Sequence, residues 1–324
     1  MSKELLKITN LKTYFFTREG VTKAVNDVSF KIGRNEAFGL VGESGCGKTV
    51  TALSIMRLVP YLGKTVSGQI FFEGEDLIKK SETDIRRIRG SRISMIFQDP
   101  LTSLNPTMKI GNQVAEKIEQ HMHLSREEAW EESINLINLV GIPDPLEKAL
   151  QYPFQLSGGM QQRIMIAIAL SCSPHLIIAD EPTTNVDVTI QAQIIRLIRE
   201  KREESKSSLL LITHNLALVA WLCDRLAVMY AGKIMEIGNS EQIFDKPDEP
   251  KHPYTSGLLA CIPSVHHRKR KLKMIKGSIP NLLEVPLGCP FHPRCEIAEE
   301  VCSRKVPEPI EVEPAHMIRC HFVR

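Results

Sequence analysis

Apolar and polar positions follow two patterns along this chain, short apolar runs typical of buried strands and the periodic spacing of helices. Three short apolar runs have the length of buried strands, and they are Glu36–Val41, His175–Ala179 and Ser208–Thr213. Between the second and third runs, Ile190, Ile194 and Leu197 recur at helical spacing. Two further β-rich runs flank Ala231 and Gly232, which predicts a hairpin. Strand-like runs that alternate with helical segments predict an α/β core.

The middle of the chain carries a helical pattern. Ser125 and Glu128 match a capping box, and Gly141 follows the last periodic residue. The apolar stripe of this helix is expected to consist of Trp130, Ile134 and Ile137. We therefore predict a helical subdomain, from about residue 100 to residue 155, inserted in the α/β core.

The composition changes near residue 247. Beyond it prolines recur, a basic stretch spans residues 266–273, and four of the eight cysteines lie between residues 289 and 320. We therefore predict one domain over residues 1–246 and a C-terminal extension over residues 247–324.

Charge and hydropathy narrow the classes of partner. The formal net charge is +3, which is too small for the concentrated basic face of a nucleic-acid-binding protein, so we expect no nucleic-acid partner. No apolar run approaches the roughly 20 residues that span a bilayer, and the charged start does not resemble a secretory signal. Any work at a membrane is expected from the cytoplasmic side, through partner proteins.

The most specific motif is GESGCGKT, which follows the first apolar run and fits G-x-x-x-x-G-K-[ST]. It consists of Gly42, Glu43, Ser44, Gly45, Cys46, Gly47, Lys48 and Thr49. Glycines let backbone N–H groups curl around phosphates, and the following helix N-terminus favours anions. Lys48 can reach the β- and γ-phosphates, and the Thr49 hydroxyl can ligate Mg²⁺. Cys46 is expected to be a small residue that fits the loop, with a reactive acidic thiol as the alternative.

A second motif, HLIIADEP, delivers two carboxylates at the end of a buried strand. Asp180 is suited to hold Mg²⁺ through water, and Glu181 is suited to orient and polarise an attacking water. A capping role is the alternative for such a pair, but the phosphate-loop motif in the same chain favours phosphoryl transfer.

A third motif identifies the class of NTPase. Its residues are Leu156, Ser157, Gly158, Gly159, Met160 and Gln161. A serine and two glycines before a helix form a second anion-binding nest. The sequence LSGGMQ resembles the signature of ABC ATPases. This resemblance implies the α/β phosphate-loop NTPase fold of an ABC-type nucleotide-binding domain and a signature that contacts ATP bound to a partner subunit.

Further positions match the family's motifs in the expected order. Gln98 resembles the Q-loop glutamine, which touches Mg²⁺ or the attacking water, and His214 resembles the switch histidine that contacts the γ-phosphate. Phe15 resembles the aromatic residue that stacks on adenine, with Tyr14 as the alternative. Asp187 matches the D-loop aspartate, whereas Asn185 replaces the family's usual small apolar residue.

The stretches QDPLTSLNP, EPTTNVDVTIQAQI and HPYT resemble those of ATPases from oligopeptide and dipeptide importers. This resemblance covers essentially the whole chain and implies peptide uptake, with nickel, glutathione or oligosaccharide import as the alternative. A soluble ABC ATPase without a transport role is a rival interpretation, as is an iron–sulfur redox protein.

The resemblance also implies an assembly and a location. Two ATP molecules would lie between two facing ATPase subunits at the cytoplasmic face of the membrane. A paralogous second subunit is expected, with a homodimer as the alternative. Two transmembrane permeases and an extracellular substrate-binding protein complete the expected set of partners.

Four cysteines near the C-terminus supply thiolate ligands: Cys289, Cys295, Cys302 and Cys320. Soft sulfur ligands suit Zn²⁺ or an iron–sulfur cluster. The extension is similar to that of dipeptide-importer ATPases that carry a [4Fe–4S] cluster. We therefore expect [4Fe–4S], with zinc and unligated thiols as alternatives.

Overall fold

The computed structural model describes residues 4–184, 188–245, 250–261 and 274–323. Its strands are β1 (Glu4–Thr17), β2 (Gly20–Gly33), β3 (Ala37–Val41), β4 (Gly63–Phe72), β5 (Glu75–Asp76), β6 (Ile93–Ile96), β7 (Leu176–Asp180), β8 (Ser208–Thr213), β9 (Arg225–Tyr230), β10 (Lys233–Asn239), β11 (Ile310–Glu313) and β12 (His316–Ile318).

The helices lie between these strands along the chain. They are α1 (Lys48–Ile55), α2 (Glu82–Ile88), α3 (Pro100–Ser103), α4 (Ile110–Met122), α5 (Arg126–Leu139), α6 (Pro145–Ala149), α7 (Gly158–Leu170), α8 (Val188–Ser205), α9 (Leu216–Leu222), α10 (Ser240–Phe244), α11 (Pro253–Ala260) and α12 (Glu300–Arg304). Two short 3₁₀ helices span Pro153–Gln155 and His292–Arg294.

The chain divides into two compact units. Unit 1 comprises residues 1–2, 33–36 and 79–210, and unit 2 comprises residues 3–32, 37–78 and 211–324.

In unit 1, strand β7 is the buried strand that the sequence predicts. All five of its residues are buried, and it pairs in parallel with β6 from Ile93 opposite Leu176 to Ile96 opposite Ala179. The N–H of Ser208 donates to the carbonyl oxygen of His175 at 2.9 Å, so β8 starts beside the start of β7. Parallel strands end at the same edge of a sheet, and for β7 that edge carries Asp180.

Helix α5 begins as the sequence predicts but buries a different face. Both hydrogen bonds of the Ser125–Glu128 capping box are present. The buried residues are Ala129, Ser133, Leu136 and Ile137, so the predicted stripe is wrong for Trp130 and Ile134, which are half-buried. The Trp130 ring lies directly over Gly111 of α4, where an added Cβ would come within 2.4 Å of it. Contact with α4 sets the face of α5, which periodicity alone cannot show.

Unit 2 contains two groups of paired strands. One is a four-stranded sheet in the order β2-β1-β4-β5. In the other, β3 pairs in parallel with β9, and β9 and β10 form the predicted hairpin. Ala231 and Gly232 both have positive φ, 44° and 79°, which suits a two-residue hairpin turn.

The C-terminal residues extend this second group of strands. Strand β12 pairs antiparallel with β10, and β11 pairs antiparallel with β12. His316 of β12 and Glu236 of β10 are both buried and lie 2.8 Å apart, Nε2 to Oε1. The C-terminal residues therefore share a sheet and a buried polar pair with β10.

Candidate functional site

The phosphate-loop motif links β3 to α1 in unit 2, as the sequence predicts. Gly42, Gly45 and Gly47 have φ of 154°, 80° and 108°. An added Cβ would lie 2.2 Å from the Met229 carbonyl oxygen at Gly42 and 2.1 Å from that of Ala24 at Gly47. Only glycine fits these two positions, because the loop passes against two other backbone segments.

Lys48 holds the loop in its curled form. Its ammonium donates to the carbonyl oxygens of Gly42 and Glu43 at 2.8 and 3.0 Å, and the residue is only 5% exposed. Ser44, Gly45 and Thr49 are exposed. The loop therefore presents Ser44, Gly45 and Thr49 to solvent while it buries its lysine.

Cys46 is fully buried beneath the loop. Burial raises the pKa of its thiol, although nearby Lys48 acts in the opposite direction. A raised pKa disfavours the thiolate, so the structure favours the packing interpretation of Cys46 over the reactive-thiol alternative.

The aromatic candidates sit next to each other on β1. The half-buried Phe15 ring packs on Gly63, where an added Cβ would come within 2.8 Å of it. The Tyr14 hydroxyl donates to Oδ1 of Asn26 at 3.0 Å. Because successive side chains of a strand point to opposite faces and the Tyr14 hydroxyl bonds to β2, Phe15 is the better candidate for stacking.

His214 directly follows β8 in unit 2 and is exposed. The next residue, Asn215, caps α9 by accepting the Ala217 N–H at 3.0 Å. The cap ends the strand at this position and leaves the histidine side chain on the surface.

Three polar residues meet at the end of β7 in unit 1. Asp180 is 1% exposed, and the adjacent Glu181 has a positive φ of 44°. The Oε2 atom of Glu181 accepts hydrogen bonds from the Thr184 hydroxyl at 2.9 Å and from Nε2 of Gln98 at 3.3 Å. The structure thus brings together Gln98 and Glu181, which lie 83 positions apart. Thr184, which the sequence analysis missed, is the third member.

The LSGGMQ segment opens α7 in unit 1. Ser157 is the exposed N-cap, and its hydroxyl accepts the Met160 N–H at 3.3 Å. The buried Gln161 donates to the carbonyl oxygens of Pro153 and Leu156 at 2.7 and 3.2 Å. Leu156 is buried, Gly158 is exposed and Gly159 is half-buried. The helix N-terminus therefore faces solvent with its cap in place, as an anion-binding nest requires.

A second connection links the signature helix to the carboxylate segment. Nε2 of the buried Gln162 donates to the carbonyl oxygen of Pro182 at 2.7 Å. Gln191 of α8 donates to the Thr183 carbonyl oxygen at 3.0 Å. These residues fix the backbone immediately after Glu181, and no sequence motif marked them. Asp187 and Asn185 lie outside the described residues.

The four C-terminal cysteines lie near one another in unit 2. Burial raises the pKa of Cys289 to about 11, and repulsion from the Cys302, Cys320 and Cys295 thiols acts in the same direction. None of the four forms a disulfide with another described cysteine. Among the residues that the structure describes, no group of three or more His, Cys, Asp or Glu side chains is already placed to hold a metal ion. The predicted metal site is therefore not assembled in these residues.

Glu43 makes hydrogen bonds that no sequence motif predicts. Its carboxylate accepts two hydrogen bonds from the Arg294 guanidinium, at 2.7 and 3.1 Å. Its backbone N–H donates to the Tyr254 hydroxyl at 3.0 Å. The C-terminal segment therefore touches the phosphate loop directly.

Within the described parts of the chain, no helix combines the length and apolar character that a bilayer span requires.

Comparisons with known proteins agree with the motifs. The profile of the ABC transporter family matches residues 25–184, and that of the oligopeptide/dipeptide transporter C-terminal region matches residues 235–302. The chain is 47% identical over 319 residues to the dipeptide transport ATP-binding protein DppD of Bacillus subtilis, covering 98% of this chain and 94% of the relative. It is 43% identical over 316 residues to the oligopeptide transport ATP-binding protein OppD of Escherichia coli, covering 98% and 92%.

Solved structures confirm the ABC-type nucleotide-binding fold. The dimeric structure of the ATP-binding cassette MJ0796 bound to ADP and Pi matches with a TM-score of 0.66 at 24% identity, over 72% of this chain and 98% of the other. The cbiO1 subunit of Clostridium perfringens, part of the ABC transporter complex cbiONQ, matches with a TM-score of 0.62 at 26% identity, over 75% and 91%. The chain therefore belongs to the ABC transporter ATP-binding proteins, in the oligopeptide/dipeptide family, and is an ATPase.

Proposed function

We propose that this ATPase drives the import of oligopeptides or dipeptides from the cytoplasmic face of the membrane. The observation that carries the proposal is the similarity over 98% of the chain to ATP-binding proteins of dipeptide and oligopeptide transport. It extends through the C-terminal region, where the profile of oligopeptide/dipeptide transporters matches residues 235–302.

The phosphate loop binds ATP in this proposal. Its backbone N–H groups and the N-terminus of α1 attract the phosphates. Lys48, now bonded to two loop carbonyl oxygens, would turn toward the β- and γ-phosphates. Phe15, which is half-buried on Gly63, would stack on adenine.

Thr49 and Asp180 are the residues that would hold Mg²⁺. The exposed Thr49 hydroxyl at the start of α1 and the buried Asp180 carboxylate are oxygen donors, which is the ligand type that this ion prefers. The bound ion would neutralise charge on the phosphates.

Glu181 polarises the attacking water. Its carboxylate accepts hydrogen bonds from Thr184 and Gln98, two neutral donors that fix its direction. The positive φ of Glu181 costs about 1–2 kcal/mol. Backbone strain of this kind persists where the surrounding structure fixes the residue, and it is frequent at active sites. His214 would contact the γ-phosphate.

The signature acts on the ATP of a second subunit. The capped, solvent-facing start of α7, with Ser157 and Gly158, supplies N–H groups for a phosphate. ATP bound between two subunits would favour the closed dimer, and Asp187 would belong to the same interface. Loss of the γ-phosphate contacts would let the dimer open and drive the membrane partners.

The proposed assembly contains a second ATPase subunit, two permeases and an extracellular substrate-binding protein. A paralogous second subunit is expected, and a homodimer is the alternative. The chain itself is peripheral to the membrane.

We also propose the domain organisation that the sequence predicts. The described residues between 100 and 155 form α3 to α6 and a 3₁₀ helix without a strand, which supports a helical subdomain within residues 1–246. Residues 247–324 form the extension.

In this extension, Cys289, Cys295, Cys302 and Cys320 would hold a [4Fe–4S] cluster, with Zn²⁺ as the alternative. Their thiols lie close enough to repel one another when ionised, and a cationic metal centre would relieve that repulsion. The bound group would supply a covalent link across a proline-rich segment.

The glutamate's role is tested by Glu181→Gln in the purified protein. We expect ATP hydrolysis to fall by roughly 100-fold or more, the size seen when a general base is removed, because the amide cannot polarise water. ATP binding should persist. The measurements are phosphate release and the titration of a fluorescent ATP analogue.

Glu203→Gln is the matched control, since Glu203 is an exposed carboxylate of α8 that pairs with Arg199. Its hydrolysis rate should equal that of the wild type. Near-normal turnover by Glu181→Gln would contradict the role given to Glu181.

A further inference from the structure

The C-terminal segment reaches the phosphate loop through one buried arginine. Arg294 ends the 3₁₀ helix His292–Arg294 and precedes Cys295. Its side chain is 5% exposed, and the paired Glu43 side chain is 31% exposed. Two parallel hydrogen bonds join the guanidinium to the carboxylate, the geometry in which Arg–carboxylate pairs are strongest.

The guanidinium is fixed by further contacts within unit 2. Its Nε donates to the Lys276 carbonyl oxygen at 2.9 Å, and Nη1 also donates to the Tyr230 hydroxyl at 3.3 Å. The carbon of the guanidinium lies 5.7 Å from the centre of the Tyr230 ring. Arg294 is thus held in one position before it meets Glu43.

A second contact holds the same loop residue. The buried Tyr254 hydroxyl accepts the Glu43 N–H at 3.0 Å. Its ring packs edge-on against Tyr230 at 4.7 Å and lies 5.2 Å from Phe291, three residues before Arg294. Tyr230, Tyr254 and Phe291 therefore form one aromatic cluster, and Arg294 lies against its Tyr230 ring. Tyr254 bonds to the backbone of Glu43, and Arg294 bonds to its side chain.

The negative charge of Glu43 links these contacts to the binding of ATP. A carboxylate in a loop that binds a polyphosphate opposes the bound anion, and the Arg294 guanidinium neutralises it. Lys48 holds the loop from within, and Arg294 and Tyr254 add contacts from outside it at Glu43.

We propose that Arg294 is a positioning residue for ATP binding. It neutralises and orients Glu43 of the phosphate loop, so that the segment from Cys289 to Cys320, the four-cysteine segment, raises the affinity of the chain for ATP. This inference rests on the proposed role of the phosphate loop in binding ATP. Arg294 acts through Glu43 and does not itself touch the nucleotide.

The test measures the affinity of the full chain for a fluorescent ATP analogue, together with the KM and kcat of hydrolysis. Arg294→Ala should weaken binding by about ten-fold, as expected when a largely buried charge pair loses one partner, and should raise KM more than it lowers kcat. Adding Glu43→Gln should restore most of the affinity, because the unpaired carboxylate is then gone. A merely structural role for Arg294 predicts no such rescue.

Arg304→Ala is the matched control, because Arg304 lies in the same segment but pairs with Glu300 at the surface, where both side chains are 75% exposed. It should bind like the wild type. Unchanged binding by Arg294→Ala, or a double variant that binds no better than Arg294→Ala, would overturn the proposal.

If Arg294→Ala does not fold, Arg294→Gln decides the question, since glutamine keeps a hydrogen-bond donor for the Glu43 carboxylate and removes the positive charge. We expect a weakening of about three-fold or more, because the Glu43 carboxylate then lacks its neutralising partner. Wild-type affinity in this variant would overturn the proposal. A wild-type chain that does not bind the analogue would instead contradict the proposed function.

Discussion

At the scale of single residues, sequence motifs predicted the loop glycines and the helix cap, because each of these residues acts within a short motif. The conformations of Gly42 and Gly47 follow from the GESGCGKT pattern, and the structure shows why no side chain fits there. The Ser157 cap follows from its position before a helix. Each of these features is marked by a local motif, so the sequence alone could reveal it, although the Met229 and Ala24 carbonyl oxygens that exclude a side chain are distant in sequence.

Contacts between distant residues could not be predicted in this way. Arg294 and Glu43 are separated by 251 positions, and neither lies in a pattern that marks the pair. The hydrogen bond from Gln162 to Pro182 is similar, since a glutamine after the signature has no sequence cue for its partner. Such pairs depend on how the strands are ordered, which only the folded chain shows.

His252 gives a pH-dependent prediction at this scale. Burial lowers the pKa of His252 to about 3, while an unfolded histidine titrates near 6.5. The folded state therefore binds fewer protons between these values, so stability is full above pH 6.5 and falls as the pH drops below it. Between pH 6.5 and 5 we expect a loss of about 2 kcal/mol from this residue.

His252→Asn should remove that loss, because asparagine keeps an acceptor for the Tyr254 N–H and does not titrate. The measurement is the free energy of unfolding in urea at several pH values. His123→Asn, at an exposed position with φ of 57° that asparagine tolerates, is the control and should keep the wild-type slope. Equal slopes for wild type and His252→Asn would contradict the prediction.

At the scale of elements, strands and caps were easier to predict than helix faces and ends. Strand β8 and the turn at Ala231 and Gly232 match the expectation, because a buried run and a turn are local signals. Helix α1 ends at Ile55, two residues before Arg57, which adopts a positive φ of 51° that no sequence pattern marks. The pairing of β12 with β10 had no sequence signal, because two short runs far apart in the chain form it.

The four-cysteine segment carries the prediction at this scale. Protein purified anaerobically should be brown and contain about four irons and four sulfides per chain, the stoichiometry of a [4Fe–4S] cluster. Cys302→Ser should lower the iron content, because a buried thiolate ligand is lost. The measurements are the visible spectrum and the iron, sulfide and zinc contents.

Cys172→Ser is the control, since Cys172 lies in unit 1, and it should keep the wild-type iron content. Stoichiometric zinc without iron would favour the zinc alternative. A chain that binds neither metal would contradict the metal site.

At the scale of the whole molecule, the α/β class was predictable because strand-like apolar runs alternate with helical segments along the chain. Phosphate loop, glutamine, signature and carboxylate pair occur in the order expected of an ABC ATPase, and the likeness to solved cassettes confirms that fold. The division into two compact units was not predictable, because unit 2 combines residues from both ends of the chain. The fold class could therefore be predicted from the sequence, whereas the two compact units could be recognised only from contacts in the folded chain.

If ATP hydrolysis at Glu181 powers peptide uptake, uptake must stop when this carboxylate is replaced. The direct measurement is the uptake of a radiolabelled dipeptide and a radiolabelled oligopeptide by cells that lack this chain and carry the wild type, Glu181→Gln or Glu203→Gln. We expect uptake with the wild type and with Glu203→Gln, and none above background with Glu181→Gln at equal protein levels. Full uptake with Glu181→Gln, or no peptide uptake with the wild type, would refute the coupling of hydrolysis at Glu181 to peptide import.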